Sequence, residues 1–165
     1  MKITTEIKIE KNPNEAWKVM GYQFAQIDKW ASFFNSSEPS GENKFEGIDF
    51  SGRISIVETG ENTHSLDVFD SENYVLSYTV TAGAPPFSNR TEAKWSLESS
   101  DENSCIASIE VNLDIKDEIP SEKIQEVSMW LNKSSSDMLE ELKYYVETGE
   151  VHSRKKQVSI DNKIA

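Results

Sequence analysis

The chain has 165 residues, a length that suits one domain built around a single core. Its 17 basic and 29 acidic residues give a formal net charge of −12, which disfavours nucleic acids and anionic membrane surfaces as partners. No apolar stretch is long enough to span a bilayer, so we expect no stable membrane insertion. The first residues lack the apolar segment of a secretory signal and Cys105 is the only cysteine, so we expect a cytoplasmic protein without disulfides.

The first thirty residues predict a strand followed by two short helices. Residues 2–10 alternate apolar and polar side chains, as a half-buried strand does. Asn12 is placed to cap a helix that begins at Pro13. Gly21 is expected to interrupt this helix, and residues 24–30 continue as a second short helical piece.

The middle of the chain predicts an antiparallel sheet. Residues 35–43 are rich in Ser, Glu, Pro and Gly, a composition typical of a surface loop. Six strand-like segments follow, joined by short polar connections of the kind found in hairpins. These segments are 44–48, 53–59, 65–69, 74–82, 90–99 and 105–115. Consecutive strands are therefore expected to pair antiparallel.

After Pro120 the apolar period changes from two residues to about 3.6, which predicts a long amphipathic helix over residues 121–148. Ser121 is expected to cap this helix and Gly149 to end it. At 1.5 Å per residue the helix would be about 42 Å long, enough to cross the sheet. Residues 150–165 have no sustained period and are expected to form a mobile tail behind a single domain of residues 1–149.

The order and spacing of five segments resemble a known superfamily. Residues 13–17 (PNEAW) resemble its opening helix, 27–30 (IDKW) its second helix, and 75–80 (VLSYTV) its middle strand. Residues 90–97, with a central tryptophan, are similar to its next strand, and 139–149 to the closing end of its last helix. The superfamily is the SRPBCC or START-like group, which includes lipid-transfer domains, the birch-pollen allergen family and polyketide cyclases/dehydrases.

The resemblance implies an α+β helix-grip fold. In this fold a curved antiparallel sheet of about seven strands wraps around a long C-terminal helix, with two short helices after the first strand. It also implies a cavity between sheet and helix that accepts a lipophilic small molecule. Fold alone does not select one activity. Binding of such a molecule is the leading hypothesis, and the alternatives are a cyclase or dehydratase acting on a polyketide-like substrate and a regulatory or co-chaperone-like interaction module.

The apolar stripe of the long helix is interrupted by serines, which suggests a polar stretch of cavity wall. Ser134 and Ser135 stand one turn after Leu131 and one turn before Met138. Their hydroxyls could face a ligand or water in the cavity. The alternative is closer packing, since small residues let a helix approach a sheet and a helical serine can bond its own backbone.

Strand parity selects further candidates for the cavity wall. Tyr78 and Trp95 are expected to face inward, and each joins a large apolar body to a polar atom that needs a partner when buried. Ordinary core packing explains the aliphatic residues on the same faces. The complete set of candidate ligand-binding residues is Phe24, Trp30, Tyr78, Trp95, Ser134, Ser135 and Met138.

Glu58 is the catalytic candidate for acid–base chemistry, and Tyr78 is the alternative group that could move a proton. If Ile54, Ile56 and Glu58 share the inward face of one strand, its carboxylate would be buried and its pKa raised. The alternative is that Glu58, at the end of the strand, reaches solvent. His64, beside a predicted turn, and His152, in the tail, form no pair suited to a metal, so we expect no metal and no cofactor.

Overall fold

The computed structural model describes residues 1–164, which form a seven-stranded antiparallel sheet, three α-helices and one 3₁₀ helix. The strands are β1 (Lys2–Ile9), β2 (Ser36–Ser40), β3 (Gly52–Val57), β4 (Gly60–Asp70), β5 (Val75–Ala82), β6 (Ser88–Asp101) and β7 (Ser104–Ile115). The helices are α1 (Pro13–Met20), the 3₁₀ helix (Phe24–Lys29), α2 (Ser121–Thr148) and α3 (Ser153–Ile164). This arrangement confirms the predicted α+β architecture of a curved sheet with a long C-terminal helix.

The sheet has the strand order β1-β7-β6-β5-β4-β3-β2, so every neighbouring pair except β1 and β7 is consecutive in the chain. Strand β1 pairs with β7 along its whole length, from Lys2 opposite Asn112 to Ile9 opposite Cys105. The amino group of Met1 extends this pairing by donating to the Leu113 carbonyl at 2.6 Å. The first strand therefore forms one edge of the sheet and pairs with the last strand.

The first helix begins and ends where the sequence predicts. The Glu15 amide donates to Asn12 Oδ1 at 3.0 Å, and Asn12 Nδ2 donates back to the Glu15 carboxylate at 3.1 Å. Asn12 and Glu15 thereby form reciprocal hydrogen bonds at the start of the helix, as in a capping box. At Gly21 a Cβ atom would lie 2.3 Å from the ring of Trp17, so only glycine lets the chain turn past that indole.

The long helix α2 has the predicted bounds, Ser121–Thr148, and ends at Gly149 with a left-handed φ of 73°. Its cap position is Pro120 in place of Ser121, because the chain is still extended at that proline. The helix packs mainly on β1, with further contacts to β7 and α1. No helix of residues 1–164 is long and apolar enough to cross a membrane.

Two predictions between residues 35 and 50 are wrong. Ser36–Ser40 was expected to be a loop but is the edge strand β2, which pairs with β3. Pro39 is tolerated there because an edge strand has one side without pairing partners. Residues 44–48 form no strand; Ile48 and Phe50 reach the core from an irregular loop, and this burial holds the loop in place.

The segment after Gly149 is helical in the structure. Arg154, in the first turn of α3, contacts Asp137, Glu140 and Glu141 of α2 at 3.7, 2.9 and 2.9 Å. These ion pairs explain a helix in a segment without apolar periodicity, because the stabilising contacts are polar. The mobility expected of residues 150–165 stays a prediction, and Ala165 lies outside the described residues.

The Asn12 cap can be tested by substitution. Asn12→Ala removes the hydrogen bonds in both directions and should lower the free energy of unfolding by about 1 kcal/mol, measured by urea denaturation. Asn14→Ala is the matched control, because Asn14 is exposed in the first turn of the same helix and should change stability by less than about 0.5 kcal/mol. Equal effects of the two substitutions would contradict the capping role.

Candidate ligand-binding site

The inward face of β3 is polar. Arg53, Ser55 and Val57 are buried, whereas Ile54 is half-buried and Ile56 is 38% exposed. This parity is the reverse of the predicted one. The pairing register explains it, because Arg53 stands directly opposite His64 of β4 and both lie on the side of the sheet that the helices cover.

The exposure of Glu58 agrees with the same alternation of inward and outward residues along β3. It lies in the turn between β3 and β4 and is exposed, so the alternative in which Glu58 reaches solvent is the one observed, and the inward orientation is not. Two isoleucines in alternation suggested a buried face, but near the edge of this sheet they lie on the outer face. Glu58 is therefore remote from the buried interior where a ligand would be enclosed.

Arg53 is completely buried among aromatic rings. Its guanidinium carbon lies 4.1 Å from the ring centre of Phe24, 4.8 Å from that of Phe34 and 5.3 Å from that of Tyr78. Arg53 Nη1 donates to the Phe24 carbonyl at 2.9 Å, while Nε and Nη2 have no hydrogen-bond partner. The side chain thus keeps one of its edges unsatisfied.

The charge of Arg53 is not neutralised by another residue. Burial lowers the pKa of Arg53 to about 10, an effect that the nearby Tyr78 phenol opposes. The guanidinium remains protonated at neutral pH. No carboxylate in residues 1–164 forms an ion pair with it. The aromatic faces and the Phe24 carbonyl offset part of the cost of burying this charge.

His64 and Tyr78 are neutral neighbours of this charge. The rings of His64 and Tyr78 meet edge to face at 5.1 Å, and His64 Nδ1 is buried without a partner. Burial, reinforced by Arg53, lowers the pKa of His64 to about 2. Burial raises the pKa of the Tyr78 phenol, although Arg53 counteracts it. At neutral pH the three side chains therefore carry one positive charge together.

Two tryptophans continue the cluster towards the middle of the sheet. Trp95 lies 6.4 Å from Tyr78 and 6.4 Å from Trp30, measured between ring centres. The indole nitrogens of Trp30 and Trp95 are both buried without acceptors. We define the Arg53 cluster as Phe24, Trp30, Phe34, Arg53, His64, Tyr78 and Trp95. It contains several hydrogen-bond donors and few acceptors.

The candidate residues of α2 are placed differently from one another. Ser135 is buried at 5% exposure on the side that faces the protein interior. Ser134 is half-buried and its hydroxyl donates to the Trp130 carbonyl at 2.7 Å, so it bonds its own helix. Met138 is partly buried and packs against the main core, whereas the four predicted aromatic residues, Phe24, Trp30, Tyr78 and Trp95, are buried members of that core. The structure thus brings the four aromatic candidates together and leaves Glu58 outside.

A surface depression of about 600 Å³ lies next to the cluster. It is bounded by Tyr22 and Gln26 on one side and by residues 47–50 on the other. Phe50, in its wall, stacks on Phe24 with ring centres 6.3 Å apart, and Phe24 covers Arg53. Two stacked rings, Phe50 and Phe24, therefore lie between the depression and the guanidinium. A second depression of about 400 Å³ is lined mainly by polar residues, among them Ser40, Ser51, Thr63, His64 and Ser65.

Phe34, on another side of Arg53, is held by the C-terminal helices. Lys155 of α3 is buried and donates from Nζ to the Phe34 carbonyl at 2.6 Å. The carboxylate of Glu141, buried in α2, accepts from the Ser32 amide at 2.8 Å, from the Ser32 hydroxyl at 2.6 Å and from Arg154 Nε at 2.9 Å. The segment that carries Phe34 is thus tied to both helices.

Sequence reasoning missed Arg53, His64, Phe34 and Phe50. For His64 a signal existed, because it shares the parity of Leu66 and needed only a slightly longer strand to be placed inward. For Arg53 no local signal existed, since its face reads Ser, Arg, Ser, Val over residues 51–57.

Cys105 is buried and its pKa is raised by burial to about 11, which fits the role of a core filler. Residues 1–164 contain no group of His, Cys, Asp or Glu side chains positioned to hold a metal.

Comparison with solved structures identifies this architecture. The chain resembles the protein XoxI from Bacillus cereus, with a TM-score of 0.72 and 20% identity over 92% of this chain and 99% of that one. A START superfamily protein from Mycobacterium smegmatis gives 0.67 and 9% identity over 84% and 94%. The chain has a START-like helix-grip fold. The di-domain ARO/CYC protein BexL, from the BE-7585A biosynthetic pathway, gives a TM-score of 0.69 and 13% identity over 89% of this chain and 46% of that one.

The sequence itself matches no protein-family model and no curated protein. The predicted resemblance to the START-like group is therefore confirmed for the helix-grip fold, at identities that carry no information on ligand or reaction. What this helix-grip domain binds has to be argued from its own residues.

The buried histidine generates a test of the site's electrostatics. The folded pKa of His64 is about 2 and its ordinary value 6.5, so between these limits only the unfolded chain takes up the proton. Stability is complete above pH 6.5 and falls as the pH decreases. His64 alone should lower the free energy of unfolding by about 1 kcal/mol between pH 6.5 and 5.5. Urea denaturation should show that the free energy of unfolding decreases between pH 6.5 and 5.5 by about 1 kcal/mol less in His64→Gln than in the wild-type protein. Equal decreases in the two proteins would contradict a buried, neutral His64.

Proposed function

We propose that this protein binds a lipophilic small molecule between the sheet and α2, at the Arg53 cluster. The observation that carries the proposal is the set of unpaired donors on Arg53, Trp30 and Trp95 inside an aromatic core. Buried polar groups are normally hydrogen-bonded, and a concave apolar site with a few converging polar groups is typical of small-molecule binding. A ligand acceptor at this place would satisfy what the protein leaves unpaired.

The helix-grip fold supports the same proposal. Similar structures include a START superfamily protein and an ARO/CYC protein. In this chain the aromatic side chains are concentrated in the interior between the sheet and the helix. Large rings fill that interior, so a ligand has to displace some of them. Phe24 and Phe50 are the covers suited to move, because neither lies in the sheet and the segment of Phe34 is tied to α2 and α3.

Binding is favoured over the cyclase or dehydratase alternative by the position of the charged groups. Glu58, the residue considered for proton transfer, is exposed. The Arg53 guanidinium stays protonated at neutral pH and His64 stays neutral below it, so both suit fixed hydrogen bonding better than proton exchange. The single cysteine, Cys105, is buried and unpaired, in keeping with a binding protein of the cytoplasm.

A neutral brominated lipophile tests this function. Titration with a terminally brominated undecanol should quench tryptophan emission in a saturable way, because bromine quenches indoles on contact. Trp95→Phe and Trp30→Phe should each remove part of the quenching. Trp130→Phe is the control, since Trp130 is 47% exposed on α2 and should leave the quenching curve unchanged.

The opposite pattern would count against the proposal. If quenching is lost only in Trp130→Phe, the lipophile binds at the surface. If neither the brominated undecanol nor its carboxylic acid gives saturable quenching, and neither raises the melting temperature, the protein does not bind lipophiles at this site.

A further inference from the structure

We infer that the Arg53 cluster selects a carboxylate carried on an apolar body. This inference rests on the proposed function and adds the chemical class of the ligand. It starts from the geometry of one side chain, Arg53, whose exposure is 0%.

The unsatisfied edge of Arg53 has the shape of a carboxylate binding site. Nη1 donates to the Phe24 carbonyl, Nε and Nη2 have no hydrogen-bond partner of good geometry, and the Tyr78 phenol is the polar group close enough to raise the pKa of the guanidinium. These two nitrogens lie on the same edge of the planar guanidinium, so their N–H groups run parallel. A carboxylate accepts such a pair with its two oxygens in one bidentate contact. A single carbonyl would satisfy only half of the edge.

The charge around Arg53 fits an anion with one negative charge. The titratable groups facing Arg53 are His64, which is neutral at physiological pH because burial lowers its pKa to about 2, and the Tyr78 phenol, whose pKa burial raises. One carboxylate would neutralise the single guanidinium. A phosphate with a second charge and a third oxygen would be left with excess charge in an apolar site, which is costly.

The remaining donors and rings define the body of the ligand. The ring centres of Tyr78 and Trp95, and of Trp95 and Trp30, lie 6.4 Å apart, and both indole nitrogens are buried without acceptors. Aromatic rings therefore surround these two further donors. The ligand is therefore an amphipathic acid with an apolar chain or ring system, on which a second acceptor could meet an indole.

Three matched probes test the selection of the carboxylate. They are the brominated undecanoic acid, its primary amide and the corresponding undecanol, all measured by tryptophan quenching near neutral pH below their aggregation concentrations. For the wild-type protein the acid should bind at least tenfold more tightly than the amide. Amide and carboxylate have nearly the same planar shape, so the ratio reports charge and the second acceptor oxygen.

Substitutions assign that ratio to one side chain. Arg53→Met should bring the acid and the amide to within threefold of each other while the undecanol still binds. Arg53→Lys keeps the positive charge but removes the two parallel N–H groups, so it should reduce the ratio of acid to amide affinity below the wild-type value. This variant also provides the comparison if Arg53→Met does not fold. Arg90→Met is the control, because Arg90 is an exposed arginine paired with Glu92, and it should keep the full ratio.

The failures of the two proposals are distinguishable. Equal affinity of wild-type protein for acid and amide would overturn carboxylate selection and leave lipophile binding intact. A preference for the acid that survives in both Arg53 variants would also overturn it, since another group would then be responsible. Absence of binding for all three probes would overturn both proposals together.

Discussion

A guanidinium buried without a counter-charge is the interaction on which the rest of this interior depends. Moving such a group out of water costs several kcal/mol even after relaxation, and an isolated cation–π contact returns about 2 kcal/mol when desolvated. Arg53 meets this cost with three aromatic faces and one carbonyl. Phe24 and Phe34 come from segments outside the sheet, so the packing of those segments follows from the position of one charge on β3.

The other buried charges of the protein show that this arrangement is specific to Arg53. Glu141, 1% exposed, accepts three hydrogen bonds from Ser32 and Arg154. Lys155, 7% exposed, donates to the Phe34 carbonyl and lies near Asp28 and Glu141. The fold thus provides partners for charges that have a structural role. Arg53 is the case in which nearby backbone and side chains satisfy only one nitrogen, which is why we assign the remaining edge to a ligand.

The sequence predicted those parts of the structure that local periodicity determines. The bounds of α2 followed from a 3.6-residue period and from Gly149, and the cap of α1 from Asn12, because each depends on neighbours in the chain. The parity of β3 did not follow, since it depends on pairing with β4. Helix α3 was missed for a similar reason: its first turn is held by ion pairs of Arg154 to another helix, and these leave no apolar pattern in the sequence.

The residues of the candidate site likewise fall into those that the sequence could predict and those that it could not. Phe24, Trp30, Tyr78 and Trp95 could be selected from the sequence because large amphipathic side chains on strands and short helices are usually buried. Arg53 could not, because a charged residue between two serines ordinarily marks a solvated face. The polar centre of the site therefore came only from the structure, although its aromatic wall was predictable. A buried charge such as that of Arg53 violates the rule that charged residues lie on solvated faces, by which sequence patterns are interpreted.

The acidity of the whole protein and the positive charge of its interior act on a ligand at different distances. A net charge of −12 repels an approaching carboxylate at long range, and solvent ions screen that repulsion beyond about 10 Å. Arg53 is enclosed by Phe24, Phe34 and Tyr78, so in the proposed complex it would attract the carboxylate only after the aromatic covers had moved. Electrostatics would then not accelerate encounter. The apolar body of the proposed ligand would drive entry and the guanidinium would act on the bound state, so selection for the acid would be expressed mainly in the rate of dissociation.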